Sequence, residues 1–286
     1  MSDRKLILYH GNCTDGFTAA WCAHQKLGDT ADYMEMKNDG ADFPVDGREV
    51  IFLDCCPKRE QLLAFKQRAK SIMVLDHHVT GKDNCGDIEG CVFDMNHSGA
   101  GMAAQHFLEP NHPGHLMVRY VEDADLYTLR LGTTREVSAF MFSHPYSFQR
   151  WTSLAHRFNY DFASIVAEGE AILRSKEVDM EQVRKKVTPM TICGYDNVPV
   201  INMSHGDIST LLSQLAQNAP NFFAISWHLS EPGKFKYSIR SNGMFDCATF
   251  ASMHFGGGGH KGAAAWVSNR PPWDLSISPR FFEKNL

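Results

Sequence analysis

Residues 74–81 read VLDHHVTG, an apolar run that ends in an aspartate and two adjacent histidines. Successive side chains of a strand point to opposite faces, so these three groups cannot share one direction or one task. Immediately upstream lie EVIFLD (49–54), the amphipathic KREQLLAFKQRAK (58–70) and SIMVLD (71–76). They predict a strand, a helix with Leu62, Leu63, Phe65 and Ala69 toward a core, and a second strand. Nearer the N-terminus, Lys5–Tyr9 reads as a buried strand, and TDGFTAAWCAHQKLG (14–28) as a helix stopped by Gly28. Strand and helix in alternation predict parallel βαβ units. In such sheets, ligands collect at the carboxyl ends of strands. The polar clusters His10–Asp15, Asp54 and Asp76–His78 each fall at such an end.

Beyond residue 90, CVFDMN suggests a further strand, and Ser98 is placed to cap a helix starting near Ala100. Helices dominate up to residue 187, the last being the long, partly solvated DFASIVAEGEAILRSKEVDMEQVRKK (161–186). After Thr188, the segments TPMTICGY, VPVINM, FFAISWHL and KFKYSIRSN read as strands, with helices expected at Ile208–Gln217 and Cys247–Phe255. The predicted fold class is therefore α/β: an N-terminal parallel-sheet domain over residues 1–158, a connecting helix over 159–187, and a smaller α+β domain over 188–286, with a cleft between the two domains. NRPPWDLSISPRFFEKNL (269–286) is expected to lie on the surface as a tail anchored by Trp273 and the Phe281–Phe282 pair.

A chain of 286 residues suits two domains at roughly 100–200 residues each. The net charge of −5 argues against a groove for long duplex nucleic acid, yet is compatible with a small phosphorylated ligand held by a few local cations. LILY (6–9) is too short for the core of a secretory signal, and no apolar run is long enough to span a bilayer, so no membrane association is expected. Eight cysteines, none in a CxxC pair, predict reduced thiols used as small buried residues in a cytoplasmic protein. The oligomeric state is open, and a homodimer is compatible with all of this.

Two constellations point to chemistry. His10, Asp15, Asp54, Asp76, His77, His78 and Asp123 form a mixed nitrogen and oxygen set suited to Mn²⁺ or another hard-to-borderline dication. Asp125 competes with Asp123 for its place. Any one of these residues alone reads as a capped turn or a surface histidine, but their joint placement at strand ends favours a shared site. Asp54, at a central strand end, can bridge two ions, which at a spacing of roughly 3.5–4 Å hold a hydroxide for attack on phosphorus. The second constellation is FGGGGHKGAAAW (255–266). The backbone entropy of Gly256, Gly257, Gly258 and Gly259 disfavours an ordinary strand or helix. It favours close approach of N–H groups to an anion at a helix start, with His260 and Lys261 adding charge. Arg240, in YSIRSN, can supply a bidentate phosphate contact.

Taken together, these motifs resemble the DHH phosphoesterase superfamily, in the branch with a C-terminal DHHA1 domain. HGNCTDGF resembles the first motif, FLDCCP the second, Asp76–His77–His78 the name-giving third, VEDADLY the fourth, and GGGGHKGAAA with Arg240 upstream the C-terminal signature. The resemblance implies that His10, Asp15, Asp54, His77 and Asp123 hold one or two Mn²⁺ ions, with Mg²⁺ or Co²⁺ as alternatives. It implies that His78 faces the substrate phosphate, that Asp76 supports its neighbours, and that Arg240, Gly256–Gly259, His260 and Lys261 grip the far phosphate or terminal nucleotide. The implied activity is a metal-dependent phosphodiesterase acting on dinucleotides, nanoRNA or cyclic dinucleotides. A phosphomonoesterase or polyphosphatase, or a non-catalytic nucleotide-binding module, is the alternative. One departure stands out: the first motif carries the single carboxylate Asp15, where D-x-D is common, and His10 to Asp15 is one residue longer than H-x-x-x-D. Asn12 and Cys13 are the candidate replacements, and the number of metals stays open.

Overall fold

In the computed structural model, which describes residues 4–37, 41–204 and 206–276, strand and helix alternate from the start. The order is β1 (Lys5–His10), α1 (Thr14–Leu27), β2 (Ala31–Met36), β3 (Glu49–Leu53), α2 (Arg59–Arg68), β4 (Ser71–Asp76), α3 (Val79–Cys85) and β5 (Cys91–Phe93). The five strands form one parallel sheet in the order β2-β1-β3-β4-β5. Both of its faces are buried, as parallel sheets require. Ile7, Tyr9, Ile51, Leu53 and Leu75 face one side. They are covered by α1 together with α4 (Gly99–Phe107), α5 (His115–Asp125) and α7 (Phe148–Tyr160), with α6 (Thr134–Phe142) packed behind. The alternate residues Leu6, Leu8, Val50, Phe52 and Val74 face the other side and meet Leu62 and Phe65 of α2. Leu63, expected in that core, is 42% exposed. It lies about 100° around the helix from Leu62 and leaves the stripe.

The chain divides into two compact units, Met1–Arg174 and Ser175–Leu286, and α8 (Phe162–Arg184) runs through the division. The second unit holds β6 (Thr188–Ile192), β7 (Tyr195–Asn202), α9 (Ile208–Asn218), β8 (Phe223–Glu231), β9 (Lys234–Ser241), α10 (Cys247–Phe255), β10 (Gly258–His260) and β11 (Ala263–Ser268). Its sheet runs β10-β11-β9-β8-β7-β6 and is antiparallel except for β7 beside β8. Phe223, Ile225, Tyr237 and Ile239 pack with Phe250 of α10 on one face, while Ile201 and Ala224 pack with Leu211 and Leu212 of α9 on the other.

The glycine run corrects the expectation of an anion cradle at a helix start. It follows the C-terminus of α10: Gly256 takes the left-handed φ of 69° that ends the helix. Gly258–His260 then pairs as a strand with Ala263–Ala265. The AAAW segment is strand as well, because Ala264 and Trp266 alternate into the core at period two. The tail is also anchored differently. Leu275 is fully buried and its carbonyl accepts Cys193 N–H at 2.7 Å, whereas Trp273 is 63% exposed and meets Trp227 edge-on. Phe281 and Phe282 lie outside the described residues. Among the described residues, no helix is long and apolar enough to cross a membrane.

Candidate metal centre

Three neighbouring strands deliver their ends to one place. His10 closes β1, Asp54 follows β3, and Asp76 closes β4 with His77 and His78 directly after it. Asp15 arrives from the first turn of α1, and Asp125 from the last residue of α5. The donor atoms form two groups, His10–Asp54–His78 and Asp15–His77–Asp125, each with its atoms within 4.8 Å of one another. Asp54 stands between them. Its Oδ2 lies 3.2 Å from His10 Nδ1, and its Oδ1 lies 3.2 Å from His77 Nε2. His77 Nε2 is also 3.4 Å from Asp125 Oδ2.

Asp76 sits behind the groups. Its Oδ1 accepts His77 N–H at 2.8 Å and faces His78 Nδ1 at 2.7 Å, which fixes the ring that joins His10 and Asp54. A carboxylate behind a histidine sets the orientation and basicity of its ring. The N-terminus of α4 backs the other group: Ala100 N–H donates to Asp15 Oδ1 at 3.1 Å. Asp54 adopts φ 58°, a left-handed conformation that aspartate tolerates better than most residues. Gly99 makes this possible, because a Cβ there would sit 2.3 Å from Asp54 Cβ. Gly99→Ala is expected to displace α4 or Asp54, costing about 1–3 kcal/mol of stability. Metal affinity falls with it, as thermal melting with and without Mn²⁺ will show.

The residues fit a divalent cation on their own chemistry. Asp15 is 1% exposed, and its Oδ2 has no hydrogen-bond partner among the described residues, an arrangement that demands an explanation in a folded protein. Burial pushes the Asp15 carboxyl well up, and the charges of Asp54 and Asp125 add to this. Burial, followed by Asp54, likewise raises Asp125. For Asp54, burial works in the same direction but is outweighed by the imidazoles of His10 and His77, so its carboxyl is held down. Asp54 in turn raises His10 to about 10 and His77 to about 9. A cation entering the site must displace these protons. Mn²⁺ affinity is therefore expected to climb between pH 6 and 9 with net proton release, measured by calorimetry in buffers of different ionisation enthalpy. Affinity independent of pH would contradict this.

The structure does not bring Asp123 to either group. Its Oδ1 accepts from Thr128 Oγ1 and from Arg130 N–H, and its Oδ2 accepts from Leu131 N–H and Thr134 Oγ1. Burial opposes ionisation, but these donors prevail and hold Asp123 down at about 2. Asp123 ties down the loop between α5 and α6, and Asp125 stands among the candidate ligands in its place. The absent second carboxylate of the first motif has a packing reason. Phe17 occupies that position, 4% exposed and stacked between Tyr146 and Phe148 at 5.2 and 5.3 Å. Cys13 belongs to neither donor group. Asn12 occupies a left-handed position, φ 56°, in the loop before α1.

In the second unit, Arg240 of β9 pairs with Ala263 of β11, which pairs with His260 of β10. Residues in one such row share a face, so Arg240 and His260 flank a small alanine on the same side. Arg240 also donates to Ser209 Oγ in the first turn of α9 at 2.9 Å. Lys261 lies in the β10–β11 turn, where its carbonyl accepts Cys247 N–H at 2.8 Å. Gly256–Gly259 supply the helix end and the edge strand described above.

No protein-family model matches the chain. Uncharacterized protein R106 of Acanthamoeba polyphaga mimivirus is 24% identical over 296 residues, covering 91% of this chain, and the chain spans 66% of that protein's length. Among solved structures, the chain is similar to the DHH domain of a protein described as belonging to a family of ribosomal proteins (TM-score 0.54, 13% identity, 93% of this chain and 83% of that one). It is also similar to an exopolyphosphatase-related protein from Bacteroides fragilis (0.51, 14%, 99% and 91%) and to the pGpG-specific phosphodiesterase PggH of Vibrio cholerae (0.50, 13%, 100% and 96%). The chain has the fold of the DHH-domain proteins.

Proposed function

We propose that this chain is a metal-dependent phosphodiesterase that hydrolyses short phosphorylated substrates: dinucleotides, nanoRNA or cyclic dinucleotides. The observation that carries this reading is Asp54, which follows a central strand and offers one oxygen to a histidine of each of two donor groups. His10, Asp54, His78, Asp15, His77 and Asp125 would hold divalent cations, which would supply charge neutralisation at the phosphoryl group and a water acidic enough to attack near neutral pH. The mixed imidazole and carboxylate set suits Mn²⁺, with Mg²⁺ or Co²⁺ as alternatives. Within the protein, Asp76 holds His78 in place beside the phosphate, and Asp54 holds His10 and His77. Arg240 and His260 supply cationic and hydrogen-bonding groups for a second phosphate or a terminal nucleotide. Likeness of fold to a pGpG-specific phosphodiesterase supports the choice of substrate class.

The eight cysteines are free, which fits a reducing compartment, and we place the protein in the cytoplasm. The test is release of mononucleotide from pApA with Mn²⁺. Likeness to an exopolyphosphatase-related protein favours a second reading, a polyphosphatase or phosphomonoesterase. Free phosphate released from polyphosphate, with pApA left intact, would select it. Arg240→Ala is expected to raise KM for pApA more than it lowers kcat, because it removes a binding contact distant in sequence from the metal ligands. An equal fall in kcat alone would place Arg240 in the chemical step.

A further inference from the structure

Two cavities of opposite character flank the candidate metal centre. One, of about 190 Å³, is polar and is lined by His10, Lys37, Asp54, Asp76, His78 and Thr80. The other, of about 240 Å³, lies among α1, α5 and α6, with Asp15 and Asp125 on its lining and walls from Val137, Ser138, Met141 and Phe142. Each donor group thus opens onto its own cavity, and the second joins the Asp15 and Asp125 carboxylates to apolar walls from Val137, Met141 and Phe142. A substrate made only of phosphates does not fit this pairing. Every unit of it carries charge, and seating charge against valine and methionine without a partner is costly. A nucleotide fits, because it joins a flat apolar ring to a phosphate.

We infer that the cavity among α1, α5 and α6 receives the base of a nucleotide esterified at the scissile phosphate. This rests on the phosphodiesterase reading above and deepens it by giving the base of the substrate a seat beside the donor groups. Phe142, the last residue of α6, is 63% exposed at the cavity, so its ring is free to serve as a stacking surface rather than as core. Asp15, almost fully buried and with no partner for its Oδ2 among the described residues, lines the same cavity, so a base seated there sits directly beside the donor group. The volume is below the ~300–1,000 Å³ of pockets for drug-sized ligands, so it holds one ring system and leaves the rest of the dinucleotide outside. Ser138, half-buried in the wall, offers a hydroxyl to a base edge.

The test compares pApA with two analogues, each lacking one of the adenines, in the intact protein with Mn²⁺. For one analogue, kcat/KM is expected to fall by about tenfold or more, the value of one lost base-stacking contact. Ser138→Phe, which fills the cavity, should lower turnover of pApA by a similar factor and erase the difference from that analogue. Because bulk at position 138 can disturb the packing of α6, Phe142→Ala at its exposed position serves as the second variant. It should shrink the same difference while the melting temperature stays unchanged. Equal cleavage of all three substrates by the wild type overturns the base assignment and leaves the phosphodiesterase standing. So does an equal loss on all three in both variants. No turnover of any of them by the wild type overturns the phosphodiesterase reading and the base assignment together.

Discussion

Asp54→Asn is expected to lower pApA turnover by at least about a thousandfold, because the charge stabilisation supplied by bound cations amounts to several kcal/mol. The fold should survive. Asn, like Asp, tolerates the left-handed conformation that residue 54 adopts at φ 58°. The substitution keeps the shape and removes the negative charge that lies 3.2 Å from both His10 and His77. Circular dichroism and melting temperature report the fold, and mononucleotide release reports the activity. A folded Asp54→Asn protein with near-normal turnover would place the chemistry elsewhere on the molecule.

The second large effect separates two aspartates that stand two residues apart. Asp125→Asn removes a carboxylate 3.4 Å from His77, so Mn²⁺ affinity should drop by at least about tenfold to a hundredfold, a loss that even partners behind the ligands produce. Its melting temperature without metal should hold steady or rise, because Asp125 is raised by burial and by Asp54 and sits in an unfavourable cluster. Asp123→Ala should do the reverse. It leaves two hydroxyls and two backbone N–H groups without their acceptor, and the stability cost is on the order of 3 kcal/mol. Acid should expose the same residue. Asp123 is depressed from 3.8 to about 2, so its stabilisation is complete above the ordinary carboxylate range and is lost as pH falls through about 2. Urea melts from pH 5 to 2 on the wild type and Asp123→Asn check this, and the variant should show a flatter dependence.

The parallel sheet was legible in the sequence because both of its faces are buried, which leaves short apolar runs with polar residues at their ends. His10, Asp15, Asp54, His77 and His78 stand at those ends, and the topology brings them together. Choosing between Asp123 and Asp125 was beyond local pattern. Two residues apart on α5 they point to different sides of the helix, and only the tertiary course of the α5–α6 loop decides which meets His77. The support given by Gly99 and Ala100 was also hidden. The small-residue run SGAGMAA signals close packing, but not that Asp54 is what it packs against. The glycine run was misplaced at a helix start because a left-handed helix end and a glycine-rich edge strand look, in sequence, like the loop before a helix. The alternation of Ala264 and Trp266 was the signal against that reading.

The most direct test of the shared role of Asp54 is a Mn²⁺ titration followed by equilibrium dialysis and electron paramagnetic resonance on the wild type and Asp54→Asn. Two ions per chain with the spectrum of a coupled pair is the expected wild-type result, with the coupling lost in the variant. One ion per chain, bound equally well with and without the Asp54 carboxylate, would contradict it.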